Sequence, residues 1–340
     1  MSRKKIFFIC GSTNQTTQMH QIAKCLPEYD HVFSPFYGDG MLDLLRKYDI
    51  DRMSVACNRM VNRCLAYLKL NDLAIDYQGK HIDEYDLVLT CSDLVIPKNI
   101  VNKKVMLVQE GMTDPENFAY HLVKAFPFLP RWIASTSTTG LSDLYDVFCV
   151  ASEGYRDLFI RKGVKAEKIR ITGIPNFDNC VKYHQNDFPH KHFVLVCTSD
   201  SRETLKFENR KAFIERAVEI ADGRQLIFKL HPNENFKRAT REIEKYAPGA
   251  LVYTSGSAEE MIANCDVLIT RFSSTVYVGM ALGKEVYSDF DLSDLRRMTP
   301  IQNGGTSAQN IATIARELLH DNVKPMKDEK MLVLLNWINT

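Results

Sequence analysis

Three short groups of residues carry side chains from which chemistry can be built. Ser273, Ser274 and Thr275 follow the apolar, β-branched run 267–270 and precede a helix-length segment that stops at Gly283. Hydroxyls and backbone N–H groups at a helix start meet the positive end of the helix dipole, and the ligand such a place takes is an anion, foremost a nucleotide phosphate. An ordinary N-cap at Ser274 would use the same residue. His231 ends the apolar run 226–230, and Pro232 forbids simple continuation of a central strand, which fixes the imidazole at a strand's carboxyl end. Ligands gather at that edge of open α/β sheets. A histidine there can donate to the same phosphate, with Lys229 and Arg202 as nearby positive charges, or it can serve as a structural hydrogen-bonding residue. Glu110 comes directly after an apolar strand, where a carboxylate must reach a cleft or pair with something. It is the first candidate for a general base. Asp93, in the turn after a similar strand, is the second; an Asx turn or helix cap is its alternative reading.

The elements that must position these groups repeat one plan. The run 6–10 reads as a buried strand, Gly11, Ser12 and Thr13 as the turn after it, and QTTQMHQIAKCL as a helix, so a backbone can come close to a ligand at that turn. Apolar strands followed by polar turns recur to the end of the chain, as expected of parallel strands whose carboxyl ends share one edge. The fold class predicted is α/β, with two Rossmann-like domains whose sheets face each other across a cleft. Residues 1–182 form the acceptor-side domain, the polar, aperiodic stretch 183–192 the linker, 193–322 the nucleotide-binding domain, and 323–340 a helix expected to pack back on the first domain. A long helix is predicted from 203 to 221.

Composition narrows the class. The chain has 340 residues, enough for two domains with their own cores. Its 43 basic against 42 acidic side chains argue against a dedicated nucleic-acid binder. Nine cysteines without a CxxC pair, several inside apolar strands, suit a reducing compartment. The apolar run at the amino terminus is too short for a signal segment or a membrane span, so a cytoplasmic protein is expected. Dispersed histidines, with no His/Cys cluster at metal-ligand spacing, predict chemistry without a metal.

Longer stretches resemble the GT-B superfamily. LITRFSSTVYVGMALGKEVYSDFDL, FKLHP, ITGIPNFD and TSDSR resemble motifs of the CDP-glycerol glycerophosphotransferases of teichoic acid synthesis. Gln109-Glu110-Gly111, His231-Pro232 and Ser273-Ser274-Thr275 are similar, in order, to the acidic-Gly, His-Pro and Ser-Ser/Thr motifs of bacterial sialyltransferases that use CMP-sugars. GSTNQTTQMHQIAKCL, CSDL, LVQEGMTD and HPNEN resemble motifs of the UDP-N-acetylglucosamine 2-epimerases. The chain departs from each. It has Tyr277 and Val278 where the epimerases hold the ribose with a Glu pair, Gln109 in place of the first sialyltransferase acid, and Glu110 where the glycerophosphotransferases have a histidine. The resemblance implies a metal-independent glycosyltransferase. Its substrate would be a nucleotide-sugar, CMP/CDP- or UDP-linked, foremost a CMP-linked acid sugar, with no separate cofactor. The acceptor would be a glycan or a lipid-linked molecule, with contact at the inner face of the membrane, in cell-surface polysaccharide synthesis. An epimerase using Asp93, Glu110 and His231 is the first alternative, and a non-catalytic nucleotide- or glycan-binding module the second. His231, Ser273, Ser274 and Thr275, helped by Lys229 or Arg202, would bind phosphate, and Gly11, Ser12 and Thr13 would form the acceptor-side loop.

Overall fold

A computed structural model describes residues 3–38, 58–126, 128–199, 201–203 and 208–320. The helix predicted over 323–340 lies outside them. Two compact units emerge, residues 1–178 with 303–340 and residues 179–302.

The first unit holds a six-stranded, wholly parallel sheet. Its strands are β1 (Lys5–Ile9), β2 (Asp30–Ser34), β3 (Leu87–Thr90), β4 (Val105–Val108), β5 (Val147–Val150) and β6 (Ile169–Ile171), in the order β2-β1-β3-β4-β5-β6. Strands covered on both faces need uninterrupted apolar sequence, and β1 shows why. Ile6 and Phe8 enter the core with Leu87, Leu89, Met106 and Val108, whereas Phe7 points the other way and stacks on Tyr85 at 4.8 Å. Helix α1 (Thr13–Lys24) packs on this sheet through Met19, Ile22 and Ala23, and α2 (Asn58–Leu70) adds Leu68. Helix α3 (Phe118–Ala125), a 3-10 segment over Arg131–Thr138 and helix α4 (Glu153–Lys162) complete the described elements between β4 and β6 that concern the site. The left-handed Gly163, φ 115°, closes α4.

The second unit carries β7 (Val194–Cys197), β8 (Leu226–Lys229), β9 (Leu251–Tyr253), β10 (Val267–Thr270) and β11 (Glu285–Tyr287), again all parallel, in the order β11-β10-β7-β8-β9. Helices α5 (Arg210–Ala221) and α6 (Phe236–Tyr246) bury Ile214, Ala217, Ala239 and Ile243 against Val194, Val196 and Phe228. Helix α7 (Ala258–Asn264), α8 (Thr275–Ala281) and α9 (Leu292–Met298) are shorter. The predicted helix from 203 begins only at Arg210, because Asn209 caps it by accepting from the Ala212 N–H at 3.1 Å.

The domain limits read from the sequence are corrected in two places. Helix α10 (Ser307–His320), assigned by sequence to the 193–322 domain, belongs to the first unit. Its stripe Ala308, Ile311, Ala312, Ala315 and Leu319 joins the core of the first sheet. Gly173, at φ 73°, lets the chain pass so close to Ser307 that a Cβ would collide with its hydroxyl. The supposed linker is not one. Residues Cys180–His184 form a 3-10 turn packed on α7, and Phe188 meets Phe193 and Tyr253 at 5.8 and 5.3 Å, so 183–192 is part of the second unit.

Lys162, at the end of α4, is 3 % exposed; its ammonium donates to the Ser137 carbonyl at 2.7 Å and lies 5.4 Å from the centre of the Tyr120 ring. Burial lowers its pKa from the usual 10.5 to about 8. Between those values the unfolded chain holds a proton that the folded chain has released, so stability increases with pH across that window, and the penalty of burying the charge is complete below it. Relative to Lys162→Met, the wild-type protein should therefore gain on the order of 1–3 kcal/mol as pH is raised through this range, read from urea midpoints.

Candidate functional site

In the first unit the site is built at the carboxyl ends of β1 and β4, which flank β3. Ser12 caps α1, its hydroxyl oxygen accepting from the Gln15 N–H at 3.1 Å, and the same hydroxyl donates to Glu110 Oε1 at 2.9 Å. Gln15 Nε2 donates to Glu110 Oε2 at 2.6 Å. Glu110 is thus held by both oxygens while half-buried at the sheet edge. The backbone around it is pinned as well. Gln109 is buried, accepts at Oε1 from the Ala151 N–H at 2.9 Å and donates to the Gly111 carbonyl at 2.7 Å, and its own carbonyl accepts from Gln18 at 2.9 Å. A Cβ at Gly11 would stand 2.8 Å from Gln15 Oε1, so a side chain there would displace the end of Gln15. The expected loop and the expected base are brought together, with Thr13 exposed in the first turn of α1. Gln15 was missed; its signal was the position three residues after the capping serine, which faces back over the helix start.

A cavity of about 460 Å³ opens beside Gly11 and Gln15, with Phe36, Tyr37, Ile96 and Trp132 among its walls.

Asp93 does not face this space, which corrects its candidacy as a catalytic group. It is fully buried, and its two carboxylate oxygens accept from the Gly140 and Ser142 N–H groups at 2.9 and 3.0 Å. Its carbonyl accepts from the Arg131 guanidinium at 3.0 Å. A short carboxylate after a strand can satisfy its charge with backbone donors from a distant loop, and here that outcome prevails.

In the second unit Thr270, Cys197 and Lys229 stand in one register row across β10, β7 and β8. His231 lies two residues beyond that row and Ser273 three beyond it, on the same edge and separated by β7, hence by two strand spacings, about 10 Å. The imidazole Nδ1 accepts from the Asn233 N–H at 3.3 Å, which places the proton of neutral His231 on Nε2. Its backbone N–H donates to Glu234 Oε2 at 2.9 Å and Thr198 Oγ1 at 3.1 Å. Glu234, buried, accepts at its other oxygen from Arg210 Nη2 at 2.6 Å, and Arg210 also pairs with Glu208 at 2.9 Å. Burial raises the pKa of Glu208. Thr198, Arg210 and Glu234 were not singled out in the sequence, although Glu234 sits three residues after His231, the spacing of a tight turn.

At the serine turn, Ser273 Oγ lies 2.9 Å from Thr275 Oγ1 and accepts from the Thr275 N–H at 3.3 Å. Ser274 has helical backbone angles and makes no side-chain capping bond, so the ordinary N-cap role is not the one it plays. Helix α8 approaches β10 closely enough that a Cβ on Gly279 would stand 2.7 Å from a Leu268 methyl group. The two cations expected to assist are drawn elsewhere. Arg202 makes a bidentate pair with Glu242 at 2.9 and 2.8 Å, which raises its pKa and lowers that of Glu242 through that hydrogen bond, and buried Lys229 donates to the Leu230 carbonyl at 3.0 Å. Arg271, at the end of β10, was overlooked; it pairs with Asp289 at 2.6 Å.

Among the described residues, no group of three or more His, Cys, Asp or Glu side chains could hold a metal ion, and no helix is long and apolar enough to cross a membrane.

No protein-family model matches this sequence, and no curated protein matches it either. Its structure does have counterparts. The UDP-GlcNAc 2-epimerase of Neisseria meningitidis, solved with UDP-GlcNAc bound, superposes with a TM-score of 0.60 at 13 % identity, over 92 % of this chain and 100 % of that one. The wall teichoic acid polymerase TagF superposes with a TM-score of 0.53 at 12 % identity, over 93 % and 89 %. The fold is GT-B. Two of the three resemblances expected from the motifs, to the epimerases and to the teichoic acid enzymes, are represented among these structures, and identities this low establish the fold alone.

Removing the Asp93 carboxylate should act on stability. Asp93→Ala would leave the Gly140 and Ser142 N–H groups buried and unpaired, a loss of about 3 kcal/mol in urea unfolding, with ligand affinity of whatever protein stays folded unchanged.

Proposed function

We propose that this protein is a glycosyltransferase that takes a sugar from a nucleotide donor, with His231 and the Ser273–Thr275 turn as its phosphate-binding groups, and passes it to an acceptor hydroxyl, with Glu110 as the base. The observation that carries this reading is the shared sheet edge of His231 and the Ser273–Thr275 hydroxyls. Donors fixed in this way stabilise negative charge as it develops on a departing phosphate. Glu110 takes the proton of the acceptor hydroxyl, the oxygen attacks the anomeric carbon, and the bond to the nucleotide phosphate breaks, with the electron pair leaving on that phosphate. Ser12 and Gln15 orient the carboxylate for this step. The donor class, CMP/CDP- or UDP-linked, follows from the motif resemblances and from the UDP-GlcNAc named for the Neisseria structure. An epimerase that divides its proton transfers among Asp93, Glu110 and His231 is less well supported, because Asp93 is enclosed and committed to backbone donors.

Thermal shift with CMP, CDP, UDP and GDP identifies the nucleotide. A ligand at about 100 times its dissociation constant adds about 2.7 kcal/mol of stability, and His231→Ala should remove most of that gain. With donor and acceptor supplied, Glu110→Gln should keep the nucleotide shift and lower turnover about 100- to 10,000-fold. Incubation with UDP-N-acetylglucosamine alone should yield neither UDP nor an epimer. An epimerised product would replace the transferase by an epimerase, and nucleotide binding without turnover in either assay would make the chain a binding module.

A further inference from the structure

The cavity beside Gly11 and Gln15 has a composition that speaks to the acceptor. Its volume of about 460 Å³ falls within the range of roughly 300–1,000 Å³ of small-molecule sites. Aromatic and aliphatic side chains dominate its wall, among them Phe36, Tyr37, Leu94, Ile96, Trp132 and Ile133. Several of the polar groups there are committed to the protein. Thr90 Oγ1 donates to the Ser92 carbonyl at 2.9 Å and accepts from the Ser92 N–H at 3.2 Å, Ser92 Oγ accepts from the Leu94 N–H at 3.4 Å, and Gln15 Nε2 is held by Glu110. A sugar ring placed in this space would bring several hydroxyls out of water to few partners, each unpaired group costing about 1–3 kcal/mol. An apolar group loses nothing of that kind and gains from burial.

Two further features fit such a ligand. Ser135, on the same wall, is a non-glycine residue at φ 53°, ψ −150°, where it breaks the 3-10 segment Arg131–Thr138 just after Trp132 and Ile133. Backbone in that region costs about 1–3 kcal/mol and persists where the surroundings hold it, here through Thr138 Oγ1 donating to the Ser135 carbonyl at 3.1 Å. The same stretch of chain also leaves large apolar side chains in solvent, Phe126 at 47 %, Phe128 at 59 % and Ile133 at 44 % exposure.

We propose that this cavity is an acceptor subsite for an apolar group, aryl or alkyl, attached to the hydroxyl-bearing part of the acceptor. Gln15 both lines the cavity and binds Glu110, so the polar part of such a molecule lies next to the carboxylate while its apolar part fills the space. This assignment rests on the transferase reading for the word acceptor, and on the cavity alone for the class of ligand.

Calorimetric titration of the full chain with phenyl β-D-glucoside, with octyl β-D-glucoside as monomer and with glucose tests it without any donor. Both glycosides should bind at least about tenfold more tightly than glucose, the equivalent of roughly two buried methylene groups. Preference for the octyl compound assigns a lipid source, and preference for the phenyl compound an aromatic one. Ile133→Asp, at a partly exposed wall position, and Val95→Trp, which fills the space, should each weaken glycoside binding about tenfold or more while the thermal midpoint without ligand shows the fold retained. Glucose binding as well as the glycosides, or both variants binding them at full strength, would overturn the proposal. If Glu110→Gln transfers at the wild-type rate while the wild-type protein shows the glycoside preference, the cavity assignment stands and Glu110 loses its role as base.

Discussion

Each unit depends on parallel pairing of its strands, because that pairing sends every strand's carboxyl end to one edge and every following turn to one side. Residues far apart in sequence then become neighbours through strand order. Ser12 and Glu110 meet because β1 and β4 both border β3. His231 and Ser273 share an edge because β8 and β10 both border β7. A register slip of one residue would turn a strand's side chains to the other face, so the buried apolar runs that set the register also aim the chemistry.

Around that frame the two units treat charge differently. In the first, among the described residues, Glu110 receives neutral donors, a hydroxyl and an amide, at a half-buried position. In the second, the ion pairs below the strand ends are closed on themselves: Arg210 with Glu208 and Glu234, Arg202 with Glu242, Arg271 with Asp289. These pairs commit the guanidinium groups of Arg202, Arg210 and Arg271 to carboxylates of the same unit. A buried pair of this kind adds little net stability, since desolvation offsets attraction, whereas loss of one partner strands a charge in the interior. Glu234 illustrates the point, because its carboxylate joins Arg210 to the backbone N–H of His231.

Much of the architecture was legible beforehand. The runs 267–270 and 226–230 and the helix 236–246 stand within a residue of where their periodicity put them, and the turn at Gly11 is followed by the expected helix. Helix α5 starts at Arg210 because Asn209 caps it there. Asp93 and Glu110 had near-identical local settings, an acid in the turn after an apolar strand, and their fates diverged. One is enclosed by the loop carrying Gly140 and Ser142, and the other meets the start of α1.

The sequence by itself determined which segments are buried strands, where they end, and that hydroxyls, an imidazole and a carboxylate follow those ends, since periodicity and turn residues act over a few positions. Only tertiary structure decided which sheet the helix 307–320 covers, which acid stays accessible, which cations are already paired, and that an apolar cavity is lined by Gln15, the partner of Glu110. Those outcomes depend on partners brought in from distant parts of the chain, and desolvation of a charge is settled by whatever surrounds it in space.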